Sequence, residues 1–220
     1  MRHQSRAFMY WRMVLCVAVM GLFPSCARLP YTTNVVHEDA RVVVALQQEV
    51  EASAYSHPVQ LTPVELTDIL QGFSFRPKQR VPLRWFAEEN VPKPVFRPDE
   101  LAALVGRLSE GLRVAGPGER VHFELRAPGF NPSVRRDVVG GWVAVREPYL
   151  YLTLEYVHVQ IPTRKADLYD YNYPTPPPPP SEYLLYFEPG RFWAADQLGI
   201  SALDYRAFLK APKVGSSPGS

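Results

Sequence analysis

Cysteine is almost missing from this chain. There are two in 220 residues, Cys16 and Cys26, and residues 27–220 contain none. That excludes a disulfide framework, a thiolate zinc site and a cysteine nucleophile from everything after the first segment. A dominant charge sign is also missing. Twenty-four basic against 22 acidic residues give a formal charge of +2, which offers no basis for nucleic-acid binding. No hydrophobic run is long enough to cross a bilayer as a helix, which takes ~20 residues. The longest, Met13 to Phe23 (MVLCVAVMGLF), falls well short. Neither G-x-S-x-G nor S-x-x-K occurs, and there is no dinucleotide fingerprint or P-loop. The sequence therefore implies no cofactor and names no reaction. What it has is a 46% hydrophobic fraction, enough for a core and too much for a disordered chain of low net charge. It also has 23 prolines, about twice average usage. Prolines that frequent cut a chain into short elements and argue against a bundle of long helices.

Residues 1–25 differ from the rest. Arg2, His3, Arg6 and Arg12 precede the apolar run with no acidic residue among them, and small residues follow it. That order is the order of a secretory signal peptide. The segment closes Leu22-Phe23-Pro24-Ser25-Cys26-Ala27. It resembles the lipobox of bacterial membrane lipoproteins, with Ser25 in the small position before the cysteine. Phe23 stands where that motif usually has leucine, and Leu22 is one step off. The resemblance covers residues 1–26 only and implies that Cys26 is lipidated and becomes the mature N-terminus. It also implies a lipid anchor in the membrane. Ala27 takes the place of the aspartate that favours inner-membrane retention in such proteins, so the resemblance implies the periplasmic face of the outer membrane. The competing reading is ordinary cleavage after Ala27, because Ser25-Cys26-Ala27 is small-x-small. Cysteine usage favours the anchor, since a lone thiol at the boundary has no partner to bridge. Either cleavage removes three arginines and takes the formal charge from +2 to −1.

Residues 26–37 read as a tether, 38–211 as one domain and 212–220 as a disordered tail. In Arg41–Ala54, Val42, Val44, Leu46 and Val50 share a face on a period of two. The valine run favours a strand over the competing helix. Thr62-Pro63-Val64-Glu65 is a helix start with a capping box. Pro98-Asp99-Glu100 opens a second helix, whose Leu101, Leu104, Val105, Leu108 and Leu112 form an apolar stripe. From Arg120 onward the pattern alternates, with Val121, Phe123 and Leu125, then Val139, Val143 and Val145, then Leu150, Leu152 and Leu154. Tyr183, Leu185 and Phe187 continue it. These runs predict a β-meander. Gly140-Gly141 inside it marks a bulge or a close approach. Ser201–Leu209 reads as a short helix capped by Ser201. The fold class expected is α+β, an antiparallel sheet of four or five strands with two amphipathic helices packed on one face.

Candidate chemistry is sparse. His122 and His158 lie within strands but on different faces, with no cysteine or third histidine nearby, so no metal site is expected. His37 and His57 flank the first strand, and His57-Pro58 reads as a turn. Glu88-Glu89 and Asp167 with Asp170 are acid pairs in polar connecting segments. The most unusual segment is the loop at 166–181, where Tyr169, Tyr171 and Tyr173 precede Pro176, Pro177, Pro178, Pro179 and Pro180. A polyproline arm beside tyrosines can dock on a partner at small entropic cost, and tyrosines can stack on sugars. The alternative is a long loop packed on its own sheet. The composite expectation is an envelope lipoprotein that binds or scaffolds a protein or glycan partner and is not an enzyme. Two alternatives stand beside it. One is a hydrolase acting on peptidoglycan or another glycan. The other is an accessory lipoprotein of a secretion or surface-assembly machine.

Overall fold

The computed structural model describes residues 31–50, 54–77, 91–162, 183–195 and 200–212. The lipobox-like Cys26, the acid pairs at 88–89 and 167–170, and Tyr169, Tyr171, Tyr173 and Pro176 to Pro180 lie outside these residues. So does most of the tail.

Among the described residues 49% are strand and 25% helix. The strands are β1 (Tyr31–Glu38), β2 (Val42–Gln48), β3 (Phe73–Pro77), β4 (Lys93–Pro94), β5 (Glu119–Pro128), β6 (Arg135–Arg146), β7 (Tyr149–Pro162), β8 (Tyr183–Phe187), β9 (Trp193–Ala195) and β10 (Ser201–Asp204). The α-helices are α1 (Pro63–Gln71), α2 (Pro98–Val114) and α3 (Tyr205–Lys210). Seven strands form one antiparallel sheet in the order β1-β2-β5-β6-β7-β10-β9, and three form a second in the order β4-β3-β8.

This corrects the expected α+β fold with one sheet of four or five strands. The chain is mostly β and carries two sheets. Three segments account for the difference. Tyr31–Glu38, read within the tether, pairs with β2 as an edge strand. Tyr183–Phe187 leaves the meander and pairs with Phe73–Pro77. Ser201–Asp204, read as the start of a helix, adds to β7 and β9. In each case a backbone ladder with a distant segment decides the structure, and local alternation carries no information about that partner.

The elements themselves form for local reasons. Thr62 caps α1 by accepting from the Glu65 N–H at 3.2 Å, and Glu65 Oε2 accepts from the Thr62 N–H at 2.8 Å. Helix α2 buries Leu101, Leu104, Leu108 and Leu112 against Val44, Val121 and Phe123 of the large sheet, all in one continuous core. Each such side chain contributes roughly 1.5–3 kcal/mol on burial. A Cβ on Gly111 of α2 would lie 2.7 Å from Val121 Cγ1, so the glycine sets how near the helix approaches the sheet. The expected irregularity is present opposite Gly140, with register shifts on both sides of it that put the extra residues on β7. At Gly141 a Cβ would come within 2.1 Å of the Thr153 carbonyl oxygen, so this position of β6 admits only glycine.

Candidate functional site

Among the described residues the buried polar side chains are His57, Glu100 and Asp137. Two of the three meet. Asp137 opens β6 in phase with Val139, Val143 and Val145, which puts it on the core side of the sheet. Glu100 lies in the first turn of α2, and Arg97 immediately precedes that helix. His158 sits within the irregular stretch of β7, between the partners Tyr156↔Gly140 and Val159↔Val138. Its φ of 52° is left-handed, a conformation that extra residues in a bulged strand commonly take.

Arg97 connects the group. Its Nη2 donates to Asp137 Oδ2 at 2.7 Å, and its Nη1 lies 3.4 Å from Glu100 Oε1. The backbone N–H of Arg97 donates to Glu100 Oε2 at 2.8 Å. His158 Nδ1 lies 3.1 Å from Asp137 Oδ2 and 3.1 Å from Arg97 Nη2. With a proton on Nδ1 the imidazole donates to Asp137; without one it accepts from Arg97. It is held in either form. The hydrogen bond to Asp137 raises the guanidinium pKa of Arg97 further above its ordinary value.

Glu100, Asp137 and His158 each offer a ligand atom within 4.8 Å of the others. Two carboxylates and an imidazole suit a divalent cation in kind. However, the Arg97 guanidinium already contacts all three, and a cation would have to displace it. The two carboxylates are also close enough to suggest acid–base work on a sugar. But both are almost fully buried, at 3% and 5% exposed, and both are engaged by Arg97. Three cavities formed by the described residues, of about 450, 530 and 660 Å³, take no lining residue from this cluster. The arrangement is an ion-pair network with buried acids and a half-exposed Arg97.

What the network holds is the β5–β6 turn. Gln160 Nε2 donates to Asp137 Oδ1 at 3.2 Å, and Gln160 Oε1 accepts the backbone N–H of Phe130 at 3.1 Å. The turn is closed by Gly129 N–H to the Arg135 carbonyl at 3.1 Å and Arg135 N–H to the Asn131 carbonyl at 2.8 Å. On this braced turn the Phe130 side chain is 98% exposed, with Val134 at 50%. Beside it lies the 660 Å³ cavity, lined by Ala40, Arg41, Asp99, Arg126, Ala127, Pro128, Pro132, Arg135 and Arg136.

The other sequence candidates are placed separately. His122 belongs to the cross-strand row Ala45, His122, Trp142, Thr153, out of phase with the core row. Its Nε2 is 3.6 Å from Glu155 Oε2, and that contact holds the Glu155 carboxyl below its usual range. His37 Nε2 pairs with Asp39 Oδ2 at 2.8 Å. His57 is buried, and its Nε2 accepts the Val145 N–H at 2.9 Å. Burial lowers its pKa to about 4. The sequence reading did not select Arg97, Glu100, Asp137 or Phe130. An acid in phase with the valines of β6 was the available signal for Asp137. A phenylalanine between Gly129 and Asn131-Pro132 was the signal for Phe130, because such turns face solvent.

No family model matches the chain, and no match is found among curated proteins or solved structures.

Proposed function

We propose that this protein is a lipid-anchored binding or scaffolding component of the bacterial cell envelope, held at the periplasmic face of the outer membrane through Cys26, and that it is not a hydrolase. One observation carries the non-catalytic part. The buried acids Glu100 and Asp137 are engaged by Arg97 and line none of the three cavities described above, whereas exposed Phe130 and Arg135 stand on a braced turn. An active site needs reactive groups converging in an accessible pocket. A binding surface needs exposed aromatic and arginine side chains on a rigid support. The second description fits the described residues.

The anchor rests on the leader and on the cysteine count. Tyr31 begins β1, five residues after Cys26. Tyr31 stands at one end of the large sheet and the β5–β6 turn at the other. Tyr31 pairs with Gln48, and Gln48 with Glu119, at the start of β5. The β5–β6 turn follows Pro128 at the opposite end, about 30 Å along a strand of ten residues.

Metabolic labelling with a fatty-acid analogue tests the anchor. Label is expected on the wild type and absent from Cys26→Ser; equal labelling of both refutes lipidation. Incubation with purified peptidoglycan sacculi tests the rest. Release of soluble fragments that depends on Glu100 or Asp137 would establish the hydrolase instead.

A further inference from the structure

The groove beside the β5–β6 turn carries a recognition chemistry that the buried cluster lacks. Four guanidinium groups, those of Arg41, Arg126, Arg135 and Arg136, and one carboxylate, that of Asp99, line it. Alanine and proline supply the apolar remainder. Three of the arginines are already engaged by protein groups, Arg136 among them. Arg41 pairs with Asp99, and Arg126 Nε donates to Glu124 Oε1 at 2.6 Å. Phe130, 98% exposed, sits between Pro128 and Pro132, both of which line the groove.

We propose that this end of the large sheet docks an acidic segment of a partner protein, its carboxylates on the arginines and an apolar side chain against Phe130. The proposal rests on the binding-module reading and gives the partner a chemistry. Three features favour it. First, the basic set is all arginine. Planar guanidinium groups pair bidentately with carboxylates, and lysine does not. Arginine and aromatic residues are also enriched at the centres of protein interfaces, where lysine is depleted. Second, the site is concave and preset. The turn is tied through Gln160 to the buried network, so little ordering remains to be done on binding. Third, it lies at the end of the large sheet opposite Tyr31. A membrane surface would attract the same charges but does not need a concavity.

The test uses the full chain in detergent micelles and a fluorescein-labelled peptide of glutamate and leucine, read by fluorescence anisotropy. A lysine–leucine peptide is the control. Saturable binding of the acidic peptide alone is expected, weakening as ionic strength rises. Arg135→Glu and Phe130→Ala should each weaken it about tenfold or more. Both positions are exposed, so thermal unfolding should be unchanged in either variant, which separates loss of binding from loss of fold. Absence of acidic-peptide binding, or binding indifferent to both substitutions, overturns the proposal. So does the converse result, in which Phe130 and Arg135 govern adsorption to phosphatidylglycerol vesicles and not to the peptide. None of these outcomes releases sacculus fragments, so failure here is distinguishable from failure of the non-catalytic reading.

Discussion

The ion-pair cluster at Arg97, Glu100, Asp137 and His158 and the groove at Arg41, Arg126, Arg135 and Arg136 draw on the same residue types at neighbouring ends of α2, β5 and β6, and they do opposite things. In the first, carboxylates are buried and each is engaged by protein groups. In the second, the arginines are partly or fully exposed, and Arg41, Arg126 and Arg136 also have protein partners. Burial makes the difference. A charge removed from water is tolerated only when its partners are in place, and a group so committed is no longer available to a ligand. Gln160 joins the two regions, with its amide on Asp137 and its carbonyl on the Phe130 backbone. The cluster thus acts as the support of the open surface.

The comparison can be broken most severely on its buried side. Gly141→Val should destabilise the fold by about 3 kcal/mol or more in urea unfolding, because the new side chain meets backbone in β7 that cannot yield. Arg97→Ala should cost about 3 kcal/mol, since it strands two buried carboxylates. Asp137→Asn should cost less, about 1–2 kcal/mol, because the half-exposed Arg97 it releases can turn to water. Equal losses in the two variants would show that the cluster is not limited by desolvation of its acids.

Acid tests the other buried polar group. His57 has a folded pKa of about 4 against an ordinary value of 6.5. Below pH 6.5 the unfolded chain therefore binds a proton that the folded chain refuses, and stability falls as pH drops until about pH 4. The slope is about 1.4 kcal/mol per pH unit, up to roughly 3 kcal/mol in all. His57→Gln, which can still accept from Val145, should remove most of that dependence in denaturation curves collected across the interval.

The smallest effects on stability belong to the open side. Phe130→Ala and Arg135→Glu should change it by no more than about 0.5 kcal/mol. Gln160→Ala sharpens the contrast, with an expected loss of about 1 kcal/mol and faster amide exchange at Phe130. Unchanged exchange there would mean that the cluster does not brace the turn.

Much of the element content was legible in the sequence. The stripe of α2, the Thr62–Glu65 cap and the alternating valines, phenylalanines and leucines of β2, β5, β6 and β7 depend on neighbours one to four residues away. Gly140-Gly141 announced its bulge for a similar reason, since a strand interior lacking two side chains invites close approach. The second sheet was not legible. Phe73 opposes Phe187 across the β3–β8 ladder, and nothing within either segment names the other. Nor was the candidate site. Glu100 reads as a favourable helix start, Asp137 as the edge of a strand and His158 as one more strand histidine, each with a sufficient local explanation.

The sequence by itself determined a basic and apolar stretch over residues 1–25 followed by the thiol of Cys26, a near-neutral remainder without cysteine, and which short segments turn apolar on one side. These follow from composition and from the fixed periods of helix and strand. Only the tertiary structure decided that ten strands sort into two sheets, that four distant ionisable residues neutralise one another, and that Phe130 is left in water beside an arginine groove. Those outcomes are set by backbone pairing and desolvation between segments far apart in the chain, and neither is encoded in local spacing.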